Sequence, residues 1–416
     1  MTLVSWTASE TGLDVRADFP ILARVLDGGR LVYLDSSSTS QKPAVVLAAL
    51  DDYYRNHNAN IHRGVYKLAQ EADALFEGAR ERIAAFLHWP VASTIFTANV
   101  TAAINLVAYS WARTNLRPGD AVLISEMEHH SNIVPWQLAA AATGAQLRYL
   151  QVAPDGTLSL EQLDAELARG DVALVALTHV SNVLGTINPV AEIVRRAHDA
   201  GALALIDGAQ AVPQLELDLT AIDADFYAWT GHKALGPTGV GVLHARAELL
   251  EQMPPFLSGG DMIATVEAQQ STWNELPWKF EAGTSMIAQA IGLGAAIDYL
   301  DTLGMANVRA HERALTAYAL ERLAATDGVS VFGPPGADDR GGVVSFALDG
   351  IHPHDVAELL SRTNVCIRAS HHCAQPLMRR LGVVATARAS FGPYNVADDV
   401  DALIDAIERA QEVFAG

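Results

Sequence analysis

The middle of the chain alternates short apolar runs with segments of helical spacing, and this alternation constrains the fold more than any other feature. Residues 121–125, 147–152, 172–177, 202–206, 225–229 and 240–243 are each apolar and bounded by turn formers, as a buried strand requires. Between two of these runs, Asn188-Pro189 opens a segment that continues through Ile193, Val194 and Ala197 to Gly201. Asn suits the helix cap, Pro the first helical position and Gly a left-handed exit. Strand–helix–strand alternation predicts an α/β fold, a mostly parallel sheet with helices on both faces. Such sheets gather ligands at the carboxyl ends of their strands, where loops are free to carry polar groups.

The character changes after about residue 292. Helical patterns over 288–304 and 308–325 lead to the turn-rich Gly333-Pro334-Pro335-Gly336, a strand-like 343–348 and a further helical run from His354. This predicts a large domain over 31–292 and a smaller α+β domain formed by 1–30 with 293–416. A chain of 416 residues, half of them hydrophobic, has the material for two cores. Its net charge of −20 repels phosphate backbones and anionic lipid, which argues against nucleic-acid and membrane-surface roles and favours solubility. No apolar stretch is long enough to cross a bilayer. The first twenty residues carry Glu10, Asp14 and Asp18 and no basic segment followed by an apolar run, so no signal peptide is expected. With Cys366 and Cys373 as its only cysteines, the chain reads as cytoplasmic with reduced thiols.

Four segments carry chemistry. In Trp229-Thr230-Gly231-His232-Lys233, a lysine follows a strand's carboxyl end among hydroxyl and imidazole donors. Its amine can form a Schiff base with an aldehyde cofactor, while Thr230 and His232 can bind a phosphate; the plain alternative is an exposed loop lysine. Asp207, at the end of the 202–206 run, is placed to meet a pyridinium nitrogen, the electron sink of pyridoxal 5'-phosphate (PLP) chemistry, or simply to cap the next helix. Glu128-His129-His130-Ser131-Asn132 offers an imidazole to stack on a cofactor ring and move protons; for His130 a loop histidine without special role is the plain reading. In Cys366-Ile367-Arg368-Ala369-Ser370-His371-His372-Cys373, two imidazoles and Arg368 give Cys373 an electropositive setting that favours thiolate. Zinc competes for two Cys and two His, but no C-x-x-C pair is present and no metal is expected. Cys366, in an apolar run, reads as a buried small hydrophobe.

Taken together, these segments resemble the SUF-type, group II cysteine desulfurases among the class V aminotransferase-like, fold type I PLP enzymes. The resemblance also rests on Gln41-Lys42-Pro43, Ile61-His62-Arg63-Gly64, Thr178-His179-Val180-Ser181-Asn182, Phe280-Glu281-Ala282-Gly283-Thr284, His371-His372-Cys373-Ala374-Gln375-Pro376 and Ala387-Arg388-Ala389-Ser390, and it spans nearly the whole chain. It implies a homodimer in which Lys233 binds PLP covalently and moves the Cα proton of the substrate. Asp207 would pair with the pyridine nitrogen, Gln210 with the phenolic oxygen, and His129 would stack on the ring. Thr101, Thr230 and His232 would bind the phosphate, joined by Gly283 and Thr284 from the other subunit. Asn182 and Arg388, with Arg368 nearby, would hold the carboxylate of L-cysteine, and Cys373 would take its sulfur as a persulfide, releasing alanine. A small sulfur-acceptor protein of iron–sulfur cluster assembly is the implied partner; His352-Pro353-His354-Asp355 is like a segment in relatives whose acceptor carries zinc, though helix-start histidines explain it as well.

The chain departs from the family pattern at Ser37-Ser38, where two alanines are usual, at Asn99-Val100-Thr101 for Gly-Thr-Thr, at Thr230 for Ser, at Lys279 for Arg and at Ser370 for Gly. No catalytic group is lost. The alternatives are selenocysteine lyase activity, another class V lyase or aminotransferase reaction, which the His-His-Cys setting argues against, and a non-catalytic sulfur-delivery scaffold, which Lys233, Asp207 and His129 argue against.

Overall fold

The computed structural model describes residues 13–27 and 29–415. Glu10 and the beginning of the 1–30 segment lie outside the described residues.

Each predicted central strand forms, with ends moved by at most about two residues. They build a seven-stranded sheet in the spatial order Thr94–Thr97, Gly241–Ala245, Phe226–Thr230, Leu203–Asp207, Val172–Thr178, Ala121–Ser125, Gln146–Leu150. The last five run parallel to one another. Their side chains alternate between two cores, as the pleat demands. Val122, Leu174, Leu205, Phe226 and Ala228 fill one face, and Leu123, Val175, Ile206, Tyr227 and Trp229 the other. Burial on both faces is why these strands read as unbroken apolar runs rather than alternating ones. Helices Lys67–Phe86 and Ile287–Leu303 close one face through Phe76, Ile83, Leu293 and Ile297.

Two local features go beyond the sequence reading and one expectation needs correction. Gly241–Ala245 runs antiparallel to both neighbours, because the connection from Thr230 is far too short for a crossover. Thr94–Thr97 is an edge strand that the apolar pattern did not announce: it is four residues long with threonine at each end. In the helix Val190–Asp199 it is Pro189, not Asn188, that occupies the cap, and it makes no side-chain capping bond. The Asn188 amide instead donates to the Thr178 carbonyl at 2.8 Å, tying the helix entry to the end of a central strand. Gly201 does take the left-handed exit, with φ of 80°.

A second sheet, Val329–Phe332, Val343–Leu348, Thr386–Ser390 and Arg368–Ser370, is antiparallel throughout. It is covered by helices Met305–Ala324, Pro353–Ser361 and Ala397–Ala415 through Leu315, Leu323, Val356, Leu360, Leu403 and Ile407. Near the amino end, Val32–Tyr33 pairs in parallel with Val365–Cys366, and Asp35 bridges to Ser390. Arg16 reaches Asp399 at 3.2 Å, while Phe19 and Leu22 are buried. Cys366 is half-buried rather than sealed in a core, because in the two-residue strand Val365–Cys366 it is Val365 that takes the buried position. Among the described residues no helix is long and apolar enough to cross a membrane.

Trp229 sits at the centre of the large core, fully buried, with its indole N–H on His244 Nε2 at 3.1 Å. Trp229→Ala should therefore cost about 3–5 kcal/mol, measured as a lower urea midpoint of the unfolding transition.

Candidate active site

A cavity of about 410 Å³ opens where the two sheets meet, at the carboxyl ends of the parallel strands. Thr178, Asp207 and Thr230, each the last residue of its strand, line it together with Lys233 from the short helical turn that follows. Gly208 makes the turn after Asp207 possible, since a Cβ there would lie 2.1 Å from the Tyr227 ring. Thr101 comes from the start of helix Val100–Leu106, and Cys373, Arg368 and Arg388 come from the second sheet and its turns. All the residues singled out above as site candidates line this cavity except Gly283 and Thr284. Those two lie elsewhere on the chain, Gly283 donating its amide to Gly260 and Thr284 beside Phe256 and Leu257.

The electrostatics follow from desolvation. Burial lowers Lys233 to about 8, opposed by the Asp207 charge and assisted by Arg388. Asp207 is raised by burial, with the Ala209 amide and Lys233 pulling the other way. His129 falls to about 3 through burial, then the charge on Lys233, so its ring is neutral. Its Nδ1 accepts from the Ser131 amide at 3.1 Å and faces the Ser131 hydroxyl at 3.0 Å; that hydroxyl meets Thr101 Oγ1 at 2.7 Å. Underneath, Glu128, pushed up to about 8 by complete burial, accepts from Asn132 at 2.7 Å and fixes the histidine loop on the strand end. Ser131 and Glu128 were not singled out from sequence; their place within two residues of His129 was the available signal.

Arg388 is buried, and burial lowers it to about 10. It donates to the Asn182 carbonyl at 2.9 Å, to Ser38 Oγ at 2.7 Å and to Asp35 at 3.3 Å. Arg368 donates to both oxygens of the same Asp35, so a single carboxylate faces two guanidinium groups. That arrangement leaves net positive charge at the cavity wall, and the Arg388 Nε is buried without a partner. An anionic group, a carboxylate above all, suits the place.

Two buried hydroxyls, Thr230 Oγ1 and Ser37 Oγ, line the cavity and have no hydrogen-bond partner. Unpaired buried donors of this kind are costly and mark the position of a ligand's acceptors. Together with an amine of lowered affinity for protons, a carboxylate at a strand end and a neutral imidazole, they fit a phosphorylated pyridine aldehyde.

A family profile described as aminotransferase class V matches residues 32–403. This chain belongs to that family. A probable cysteine desulfurase from Halobacterium salinarum is 52% identical over 403 residues, covering 96% of this chain and 97% of its own length. One from Streptomyces coelicolor is 51% identical over 406 residues, with 96% and 97% covered. Among solved structures, the apo cysteine desulfurase from Thermococcus onnurineus superposes with a TM-score of 0.91 at 36% identity, over 96% of this chain and 98% of that one.

Within this class V chain, the surroundings of Cys373 differ from the sequence expectation. The thiol is exposed at the cavity mouth, but the two neighbouring imidazoles do not flank it symmetrically. His372 is buried and turns its Nε2 to the Thr386 carbonyl and hydroxyl, both at 3.0 Å, while His371 Nδ1 accepts from the Cys373 amide at 3.1 Å. The His130 ring accepts from the Gln375 amide at 3.2 Å, and its backbone amide donates to the Cys373 carbonyl at 2.7 Å.

A lysine amine attacks an aldehyde only when neutral. With Lys233 lowered to about 8, uptake of PLP by cofactor-free protein should accelerate as pH rises towards about 8 and level off above it. A stopped-flow absorbance series from pH 6 to about 10 reads this; a rate still climbing at the usual lysine value of about 10.4 would contradict the lowered affinity.

Proposed function

We propose that the chain is a PLP-dependent cysteine desulfurase, converting L-cysteine to L-alanine and leaving the sulfur as a persulfide on Cys373. The observation that carries this reading is that the Lys233 amine and the Cys373 thiol line one cavity, with Asp207 at its floor and Arg388 on its wall. The relatives at about half identity over nearly their full length bear the cysteine desulfurase name, which supports it.

Lys233 would hold PLP covalently, with Asp207 at the ring nitrogen, Gln210 at the phenolic oxygen, His129 against the ring, and Thr101, Thr230 and His232 at the phosphate. The bound cofactor supplies an electron sink that eases loss of the substrate's Cα proton. Arg388 and Asn182, with Arg368 behind them, orient the carboxylate; the Asn182 amide, bonded to the His372 carbonyl at 2.8 Å, links that contact to the thiol-bearing turn. Lys233, freed as an amine, carries the Cα proton. Cys373 thiolate then attacks the substrate sulfur, the Cβ–S bond breaks with its electron pair left on carbon, and a proton completes alanine.

The wider reading has a homodimer in which Gly283 and Thr284 complete the partner's phosphate site. Gly283 and Thr284 are both exposed, as a contribution to a partner's site requires, with the Thr284 hydroxyl the donor on offer because the Gly283 amide is engaged by the Gly260 carbonyl. We take residues 31–292 as the cofactor domain and 1–30 with 293–416 as the smaller one, although the helix Ile287–Leu303 crosses that boundary and its Leu293 and Ile297, with Phe19 and Leu22, pack in the larger core. The protein works in the cytoplasm and passes its sulfur to a small acceptor of iron–sulfur assembly. The exposed His352 and His354, whose rings stack 5.3 Å apart at a helix start, are a contact point for that acceptor.

Purified protein should be yellow with PLP. Lys233→Ala should lose both colour and alanine formation. Cys373→Ala should keep the colour and lose all but a trace of alanine and sulfide from cysteine. Turnover of Cys373→Ala on selenocysteine but not on cysteine would point instead to a selenocysteine lyase.

A further inference from the structure

The turn that presents Cys373 is held in unusual backbone. His372 and Cys373 both have positive φ, 49° and 54°, the left-handed region that residues with a Cβ avoid. Two such residues in succession persist only where surrounding groups over-determine them. Ser370 Oγ accepts from the His372 amide at 2.7 Å and Asn182 donates to the His372 carbonyl at 2.8 Å; the groups that hold Cys373 itself and the turn beyond it are two imidazoles. The Cys373 amide donates to His371 Nδ1 at 3.1 Å. Two residues on, the Gln375 amide at the start of helix Gln375–Leu381 donates to His130 Nε2 at 3.2 Å. The His130 amide in turn holds the Cys373 carbonyl at 2.7 Å, and the two rings lie 5.6 Å apart.

We propose that His130 and His371 are positioning residues for Cys373, a pair of imidazole acceptors that clamp its turn over the cavity, and that protonation of His130 releases it. This rests on the reading of Cys373 as the sulfur-accepting thiol. Each ring accepts a backbone N–H through a nitrogen lone pair, and a protonated imidazole has none to offer. Protonating either ring therefore breaks one side of the clamp, while the positive charge of the first opposes a second so close.

The charged groups around the pair agree with a neutral resting state. Burial and His371 both press His130 towards its neutral form. His129, 6.3 Å from the His130 ring, is itself held neutral beside Lys233 and Arg388. Arg368 and Arg388 act on His372 below the turn. On the helix that follows, Arg379 is a further cation, and Arg380 turns away to Glu126 at 3.6 Å. Release returns the His130 ring to the ordinary imidazole value of about 6.5, above the lowered one that burial and His371 give it in the clamp. The clamp is thus fully formed above that pH and is lost as pH falls through it.

Hydrogen exchange of the 371–375 segment in the PLP-loaded full-length protein tests this between pH 5 and 8, after correction for intrinsic exchange. Protection should fall by up to about tenfold per pH unit below about 6.5. In a His130→Gln/His371→Asn double variant, whose amide oxygens accept without titrating, protection should stay level across the range. His130→Leu should keep its cofactor colour and lose alanine production by roughly tenfold to a hundredfold, the scale of a displaced reacting group. Level protection in the unaltered protein, or full alanine production by His130→Leu, would overturn the proposal. A colourless protein that makes no alanine would refute the desulfurase reading instead, and the exchange result would still stand or fall by itself.

Discussion

The parallel pairing of the central strands is the constraint on which the site depends. Because Ala121–Ser125, Val172–Thr178, Leu203–Asp207 and Phe226–Thr230 share one direction, their carboxyl ends fall on one edge. Each end delivers a polar group there: the Glu128–Ser131 loop, Thr178, Asp207 and the Thr230–Lys233 turn. Burial on both faces leaves no freedom in register, since a slip by one residue would turn every core side chain of a strand to the wrong layer. Core packing, rather than any bond within the cavity, is what sets the separation of Asp207 and Lys233.

Desolvation then gives these groups their properties. Lys233, His129, Arg388 and His372 are all moved towards their neutral forms with burial as the leading cause, and Asp207 and Glu128 move the same way from the opposite sign. The cavity is a place where charge is expensive until a ligand brings its own. Asp35 offsets part of this by facing Arg368 and Arg388 together. It leaves room for an anion rather than cancelling the positive charge.

Sequence made the strands legible because doubly buried strands are apolar from end to end, and it made Lys233 and Asp207 legible because each closes or follows such a run, whereas Cys373 was legible from the two histidines beside it and not from the polar strand Arg368–Ser370 before it. It did not show that the final strand reverses, which follows from the length of the Gly231–Val240 connection and not from the strand itself. The Asn188-Pro189 pair looked like a cap and start, but the buried Thr178 carbonyl competed for the Asn188 amide and won. His130 was equally hidden, since its role depends on Cys373 and Gln375, which arrive from the other end of the chain. Asp35 was hidden for the same reason, since its partners Arg368 and Arg388 are likewise distant in sequence. Local chemistry was readable, and contacts between remote segments were not.

Those remote contacts bear on how the molecule is made. Asp35 and Arg368 lie 333 residues apart, and Val32–Tyr33 has Val365–Cys366 for its only strand neighbour among the described residues. On a ribosome adding about 5–20 residues per second, the opening segment waits on the order of tens of seconds before its partner exists. The lysine-bearing half can compact in that interval. The nascent chain acquires Cys373 and Arg388 only after that half has emerged, so the cavity wall they form is added late.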